Sequence, residues 1–508
     1  MAARFVTIDR ETQLLLPPDM REWVPENHLS QFILDAVDEM DTSAAKINHR
    51  GSGSEQYPPA MLLSLLIYSY TSGVFSSRSI ERATYDSAAT RVLCGDTHPD
   101  HDTICAFRRE NRELLDKAFS TVLEMAARVG VMKVGNVTVA IDGTKILANA
   151  SKHAAASYEK AGEAMRELDL EIAELLKKAE EADSTPLEDG LSVSGEIARR
   201  EERKAKLKAA RAEMEARAAV RVAAERADYE AKKAARGAMR EEGKKPRGKE
   251  PKEPESTPGA KDQVNFTDPE SRIMPCGGKT NFERAYNAQA GVEIQSRLIV
   301  TKRVSPAAND KQGLVENVRA IDPVIQSVGT VLIDSGFVSE AAVQEVERAR
   351  EDGGVAPVVL AAIKREHHHR SVADLEKKDD PPAPGDGASF GEKMAHRVAT
   401  KEGRARYKQR QQTIEPVFGI IKEAIGFRRS SMRGQGKVAL EWTLVCVAYN
   451  LRRLQSAPPP PSGDHQNTKY HSGMGLMGGK RPQPMASPGK NPTGFRFGPR
   501  PRLRKLKK

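Results

Sequence analysis

The chain has 508 residues, 39% hydrophobic, 30% charged and only 5% aromatic, which suits a soluble, helix-rich protein of two or more folded units with some unfolded polar stretches. A formal net charge of +10 and a pI near 9.2 favour a polyanionic partner, nucleic acid first. Cys94, Cys105, Cys276 and Cys446 show neither zinc-site nor disulfide-framework spacing, no apolar run approaches the roughly 20 residues of a membrane span, and MAARFVTIDRETQ lacks a signal-peptide core, so a cytoplasmic protein is expected.

Residues 1–130 read as an all-α unit. In YPPAMLLSLLIYSYTSG the prolines start a helix, Gly73 ends it, and Met61, Leu62, Leu65 and Leu66 give its apolar face. HPDHDTICAFRRENRELLDKAF follows, where Asp102 or Thr103 can cap a helix carrying Arg108, Arg109 and Arg112. Short helices ending in an arginine-bearing one are compatible with a helix-turn-helix DNA reader, with Arg108 and Arg109 on the DNA. A plain bundle with solvated arginines fits the same pattern equally well.

At Val137 the period changes: NVTVAIDG reads as a short strand closing on Asp142 and Gly143. Residues 155–240 are dominated by Ala, Glu, Lys and Arg, and Met165, Leu168, Ile172, Leu175 and Ala179 step by three and four. With a break at ADSTPLEDGLSVSG, this reads as an antiparallel, coiled-coil-like helical hairpin, either a solvated arm or one that touches DNA or a partner. Residues 243–262 read as a linker.

Two strands, YNAQAGVEI and RLIVTKRVS, come next; NDKQGLVENVRAI, TVLIDSG, VSEAAVQEVERARE and APVVLAAI then read as helix, strand, helix, strand. The whole order predicts an α/β catalytic core over residues 131–455 with a ribonuclease H-like mixed sheet and the helical insertion after its first strand. His367, His368 and His369 read as loop, because consecutive side chains cannot all face one metal. Residues 456–508, rich in Pro and Gly and ending PRPRLRKLKK, read as a disordered basic tail.

Chemistry is expected at strand ends. Asp142 and Asp334 each close an apolar strand before a glycine or Ser-Gly, and open α/β sheets collect ligands at that edge. In the expected topology the two carboxylates sit together and repel unless a cation lies between them. Oxygen donors suit Mg²⁺ or Mn²⁺, and two such ions can serve phosphoryl transfer. Glu415, in RQQTIEPVFGIIKEAIGFRRS on the helix after the last strand, supplies the third ligand. Glu415 and Lys422 are seven apart, so a regular helix puts them on one face; Pro416 fits only in a first turn or at a kink. Arg428 and Arg429 read as a phosphate-binding cluster or a solvated loop.

These residues resemble the DDE transposases of bacterial insertion sequences. VAIDGTKI, NFTDPESRIM, AYNAQAGVE, LIDSGFVS and YKQRQQTIEPVFGIIKEAIGFRRSSMRGQGKVALEWTLVCVAYNLRRL carry the resemblance, in order. It covers most of the chain from about Pro17 to Leu454, without specific support for the helical insertion and tail. It implies a Tyr-Arg-Glu-Lys signature at Tyr407, Arg410, Glu415 and Lys422, with an Arg410–Glu415 gap one residue longer than in the best-known form. Asp142, Asp334 and Glu415 would hold two Mg²⁺ or Mn²⁺ ions, and Tyr407, Arg410 and Lys422 the phosphates of the element's end. The implied activity is cleavage at terminal inverted repeats and strand transfer on double-stranded DNA, by a homodimer or larger assembly in a bacterial, nucleoid-associated setting. A non-catalytic DNA-binding descendant and a nuclease without strand transfer are the alternatives.

Overall fold

Pro58 and Pro59 open a strongly apolar helix, on which the helices of residues 29–38, 77–86, 88–94 and 101–110 pack. The computed structural model describes residues 5–8, 22, 24–49, 55–151, 154–182, 193–241, 249–255, 257–277, 281–311, 313–348, 356–363, 380–385 and 387–457. The helices are α1 (Leu29–Asp38), α2 (Pro59–Thr71), α3 (Ser77–Asp86), α4 (Ala88–Cys94), α5 (His101–Glu110) and α6 (Arg112–Arg128). α2 is buried on nearly every side rather than on one face, as a helix apolar all round must be. It ends at Gly73, whose φ of +78° suits a residue without a Cβ. α5 is capped by Asp100, which accepts from Thr103 N at 2.6 Å, two residues before the expected cap.

The sheet elements are β1 (Val137–Leu147), β4 (Arg272–Pro275), β5 (Phe282–Glu293), β6 (Ile299–Ser305), β7 (Val328–Ile333) and β8 (Val358–Ala361). Their order is β6-β5-β1-β7-β8, with β4 also on β5. β5 runs antiparallel to β1, β4 and β6, while β1, β7 and β8 are mutually parallel. Strand, strand, strand, helix, strand, helix, strand was the expected order, and the helices α9 (Gly313–Arg319) and α10 (Glu340–Val346) fall where it put them.

β1 departs from expectation. It does not turn away at Gly143 but continues to Leu147, because β5 pairs with it from Val139 through Leu147. Past it, β2 (Ala155–Ser157) and β3 (Gln263–Asn265) pair at the base of the insertion. The insertion is α7 (Tyr158–Ala182) and α8 (Val193–Glu241). Arg200 meets Glu171, Lys204 meets Asp169 and Arg211 meets Tyr158, so the helices run antiparallel, with Ala161, Leu168 and Leu207 buried between them.

After β8 come α11 (Phe390–Ala399), α12 (Lys401–Gly419), a π-helical turn (Ile420–Ala424) and α13 (Gln435–Gln455). α13 packs on α2 and α6 on one side and on β6 on the other. A single buried cluster therefore runs from Ile33 through Ile141 to Leu454, and no gap between two cores lies near residue 130. The described residues all fall in one unit. The histidine run, residues 370–379 and the tail from Pro458 lie outside the described residues, as does part of the linker.

Candidate active site

The parallel ladder between β1 and β7 ends at Ile141 and Ile333, so Asp142 and Asp334 are the next residues on adjacent strands. Asp334 leaves its strand and caps a 3₁₀ turn, its Oδ1 accepting from Gly336 N. Asp142 stays in β1 opposite Ala290; it is thus placed by the loss of its parallel neighbour, not by a strand end. Its carboxylate accepts from Gly143 N at 2.7 Å and from Arg410 Nη1 at 3.0 Å. Burial pushes the Asp142 carboxyl above the usual carboxylate range and Asp334 adds to the push, against Arg410 and the Gly143 N–H. Burial also works against the charge on Arg410, but Asp142, Tyr407 and Asp334 outweigh it and raise the guanidinium above its ordinary value.

α12 presents Gly403, Tyr407, Arg410, Ile414 and Val417 toward the sheet at helical spacing. Gly403 is obligatory in that row, since a Cβ there would lie 1.8 Å from the Arg397 carbonyl oxygen. Tyr407 OH donates to Ile333 O at 3.2 Å, at the point where β7 ends. Tyr407 and Arg410 are therefore engaged by the sheet edge itself. Glu415 follows the buried Ile414 and is exposed on α12, with no hydrogen-bond or ion-pair partner among the described residues.

Pro416 stands inside α12, three residues before its last residue, and the π turn follows. Proline removes one helical donor, and the wider turn changes the phase of what comes after. Glu415 and Lys422 are therefore not joined by one regular α-helix, which the expected common face presupposes. Lys422 is half-buried; burial pulls its pKa down, the neighbouring Cys276 opposes, and Arg428 and Lys145 add to the fall.

Among the described residues no three His, Cys, Asp or Glu side chains stand together closely enough to hold a metal ion. The structure thus brings Asp142 and Asp334 together and leaves Glu415 apart. The donor chemistry nevertheless fits a hard divalent cation: adjacent carboxylates supply oxygen donors, and a guanidinium supplies the positive charge beside one of them.

The sequence reading missed four residues here. Lys145, three residues past Asp142, is half-buried; burial pulls its pKa down against the influence of Asp310, Cys276 and Asp142. Asp310, in the loop before α9, accepts from Asn287 Nδ2 at 2.5 Å and from Gln289 Nε2 at 2.7 Å. Asn287 and Gln289 are polar residues at alternate positions of a fully buried stretch of β5, a signal visible in YNAQAG.

The remaining expected DNA contacts fall into different settings. Arg108 is buried at 4% exposure, and donates from Nη1 to Tyr70 OH at 2.8 Å and to Phe75 O at 2.7 Å, so it cannot meet a duplex as expected. Tyr70 OH in turn donates to Glu441 Oε1 at 2.7 Å, across the joint between α2 and α13. Arg109 is exposed beside Glu110, in a cleft also lined by Arg112, Arg433 and Lys437. Arg428 is exposed and pairs with Glu423, whereas Arg429 donates to Ala148 O at 3.0 Å and pins its segment against the end of β1. No helix among the described residues is long and apolar enough to cross a membrane.

Residues 18–110 match the family model described as a transposase domain (DUF772), and residues 388–455 match the transposase DDE domain. The first spans most of the N-terminal helices and the second spans α11 through α13. Together they support a DDE-type transposase; DDE transposase domains suggest a polynucleotidyl-transferase type of enzyme, generally use divalent metals, and belong to proteins that act on DNA. Searches of curated proteins and of solved structures gave no match.

Proposed function

We propose that this protein is a transposase of a bacterial insertion sequence, with a ribonuclease H-like core, that binds terminal inverted repeats and catalyses strand cleavage and strand transfer. The observation that carries the proposal is the pair Asp142 and Asp334, one step past the last paired residues of adjacent parallel strands, in a chain matched by transposase families at both ends. The sheet order β6-β5-β1-β7-β8, antiparallel on one side of β1 and parallel on the other, supports the ribonuclease H-like assignment.

Asp142, Asp334 and Glu415 are the residues that would hold Mg²⁺ or Mn²⁺. When bound, such ions activate the attacking oxygen and stabilise the leaving one in an in-line displacement. Arg410 is the counter-charge of Asp142 in the unliganded protein and turns to a phosphate of the element's end when a cation takes its place. Lys422 and Arg428, on the segment after α12, carry positive charge to the same backbone, where they position the strand without reading sequence. Transposition joins paired ends, so a homodimer or larger assembly forms on DNA, in the cytoplasm and on the nucleoid.

A DNA-binding protein that no longer cuts is the second reading, favoured by the place of Glu415 apart from the two aspartates. The test is cleavage of DNA carrying the element's own ends, with Mg²⁺ or Mn²⁺, by wild type and Glu415→Gln. Nicking by wild type alone supports the three-acid site, and strand-transfer products exclude a simple nuclease. If both proteins bind the ends and neither cuts, the second reading replaces the first.

A further inference from the structure

Asp310 reaches the edge of β1 and β7 from the opposite flank to α12. A Cβ placed on Gly143 would lie 2.7 Å from Asn287 Oδ1 and 2.9 Å from Asp310 Oδ1. A Cβ placed on Gly336 would lie 3.1 Å from Asp334 Oδ1 and 4.0 Å from Asp310 Oδ2. The Asp310 carboxylate therefore spans the space between the glycine that follows Asp142 and the glycine of the Asp334 turn. Its two oxygens are used differently: Oδ1 takes both side-chain amides, from Asn287 and Gln289, and Oδ2 faces Gly336.

A second observation points into the same space. Asn287 is fully buried, its Nδ2 is spent on Asp310, and its Oδ1 has no donor among the described residues. A buried acceptor without a donor carries a desolvation cost that native structures seldom leave unanswered. Lys145 is the ammonium whose charge Asp310 supports, on the Gly143 side; toward Gly336, Asp310 Oδ2 has a second carboxylate, Asp334, near it, and that end calls for positive charge or its water shell. Mg²⁺ and Mn²⁺ bind through one or two carboxylates and waters, so Asp310 and Asp334 are enough protein ligands.

We infer that Asp310 is a fourth carboxylate of this site, a ligand for a hydrated divalent cation held between Asp310 Oδ2 and Asp334, with Asn287 Oδ1 accepting from the ion's water. The purpose of that ion rests on the transposase reading; its binding does not. Asn287 and Gln289 are positioning residues that keep Oδ1 occupied and so aim Oδ2.

The experiment is Mn²⁺ binding to the full-length protein, followed by the electron paramagnetic resonance of free Mn²⁺, for wild type, Asp310→Asn and Asp310→Glu. An asparagine retains an oxygen to accept from both amides but has no charge, so a purely structural role predicts unchanged binding. The expected result is at least a tenfold weaker Mn²⁺ Kd in Asp310→Asn and partial recovery in Asp310→Glu. Wild-type Mn²⁺ affinity in Asp310→Asn overturns the inference.

If Asp310→Asn fails to fold, Fe²⁺ replaces Mn²⁺ in the wild-type protein and hydroxyl radicals made at the ion cut the nearby backbone. Scission beside residue 310 as well as at 334–336 is expected, and scission at 334–336 alone overturns the inference. Neither measurement uses DNA. A protein that binds the ion through Asp310 but never cuts its ends refutes the transposase reading and leaves this one standing; the reverse pattern does the opposite.

Discussion

Glu441 and Asp142 each face an arginine, and their surroundings are opposite in kind. Glu441, fully buried on α13, accepts from Tyr70 OH, from the Ser430 and Ser431 hydroxyls, and from the backbone N–H of Ser431 and Met432. Arg108 stands behind it at 3.9 Å. Burial, then Glu441, drives the Tyr70 hydroxyl well above its ordinary pKa, so it stays a donor. Among the described residues Asp142 has Gly143 N and Arg410 as donors, and Asp334 has Gly336 N, although each carboxylate has about four acceptor sites. The saturated acid joins two layers of helix; the undersupplied acids are the ones with capacity left for a ligand.

The comparison is broken most directly by removing acids from each region. Asp142→Ala, Asp334→Ala or Glu415→Ala should lower cleavage by on the order of a thousandfold, about 4 kcal/mol in the barrier, with end binding within a few fold of wild type. Gel shifts beside single-turnover cleavage measure both, and a variant that cuts at the wild-type rate removes its residue from the site. Glu441→Gln should instead cost about 3–5 kcal/mol of stability, because it leaves the Arg108 charge buried without its carboxylate. A urea midpoint equal to wild type would mean that the buried network holds nothing together.

Asp142→Asn should move stability in the other direction. The folded-state pKa of Asp142 is raised, so the contribution of its protonated form is present at acid pH and lost as pH rises through that value. Neutral asparagine removes the loss, and the variant should be at least as stable as wild type at pH 7; a lower urea midpoint would contradict the account of this site. Arg410→Gln withdraws the charge that opposes the rise, so the pKa of Asp142 climbs further and the acid limb of the cleavage profile shifts to higher pH. Its rate at pH 8 should fall about tenfold, the worth of one charge-assisted hydrogen bond of about 1.5 kcal/mol. An acid limb at the wild-type pH would separate Arg410 from Asp142 in function. The smallest effect belongs to the basic tail: ending the chain after Asp464 should leave cleavage intact and flatten the salt dependence of non-specific DNA binding. A salt slope equal to wild type would show that the tail does not touch DNA.

What the sequence made readable follows from what is local. Alternating apolar runs revealed β5, β6, β7 and β8, and prolines with Gly73 bounded α2, because these signals lie within a few residues of each other. The extension of β1 to Leu147 was hidden because its hydrogen bonds come from Phe282–Glu293, far along the chain. Nothing within NDKQGLVENVRAI singles out Asp310, since its amide partners sit on a different strand. Arg108 was read as a DNA contact because nothing near it in sequence announces Tyr70 or Glu441. One acid in an apolar run drew attention to Glu415; the same pattern in VALEWTLVCVA marks Glu441, and there it means a buried joint rather than chemistry.

α13 is the last described helix, yet α2, α6 and β6 all require it to cover their apolar faces. During synthesis those faces emerge long before their cover, so the N-terminal helices have no finished core until residues near 455 have left the ribosome. A chain cut short anywhere before α13 would then be an aggregation-prone remnant and not a smaller working protein. Competence to act on DNA is thereby tied to full-length translation, and the amount of finished protein depends on how well a nascent chain keeps α2 shielded while it waits.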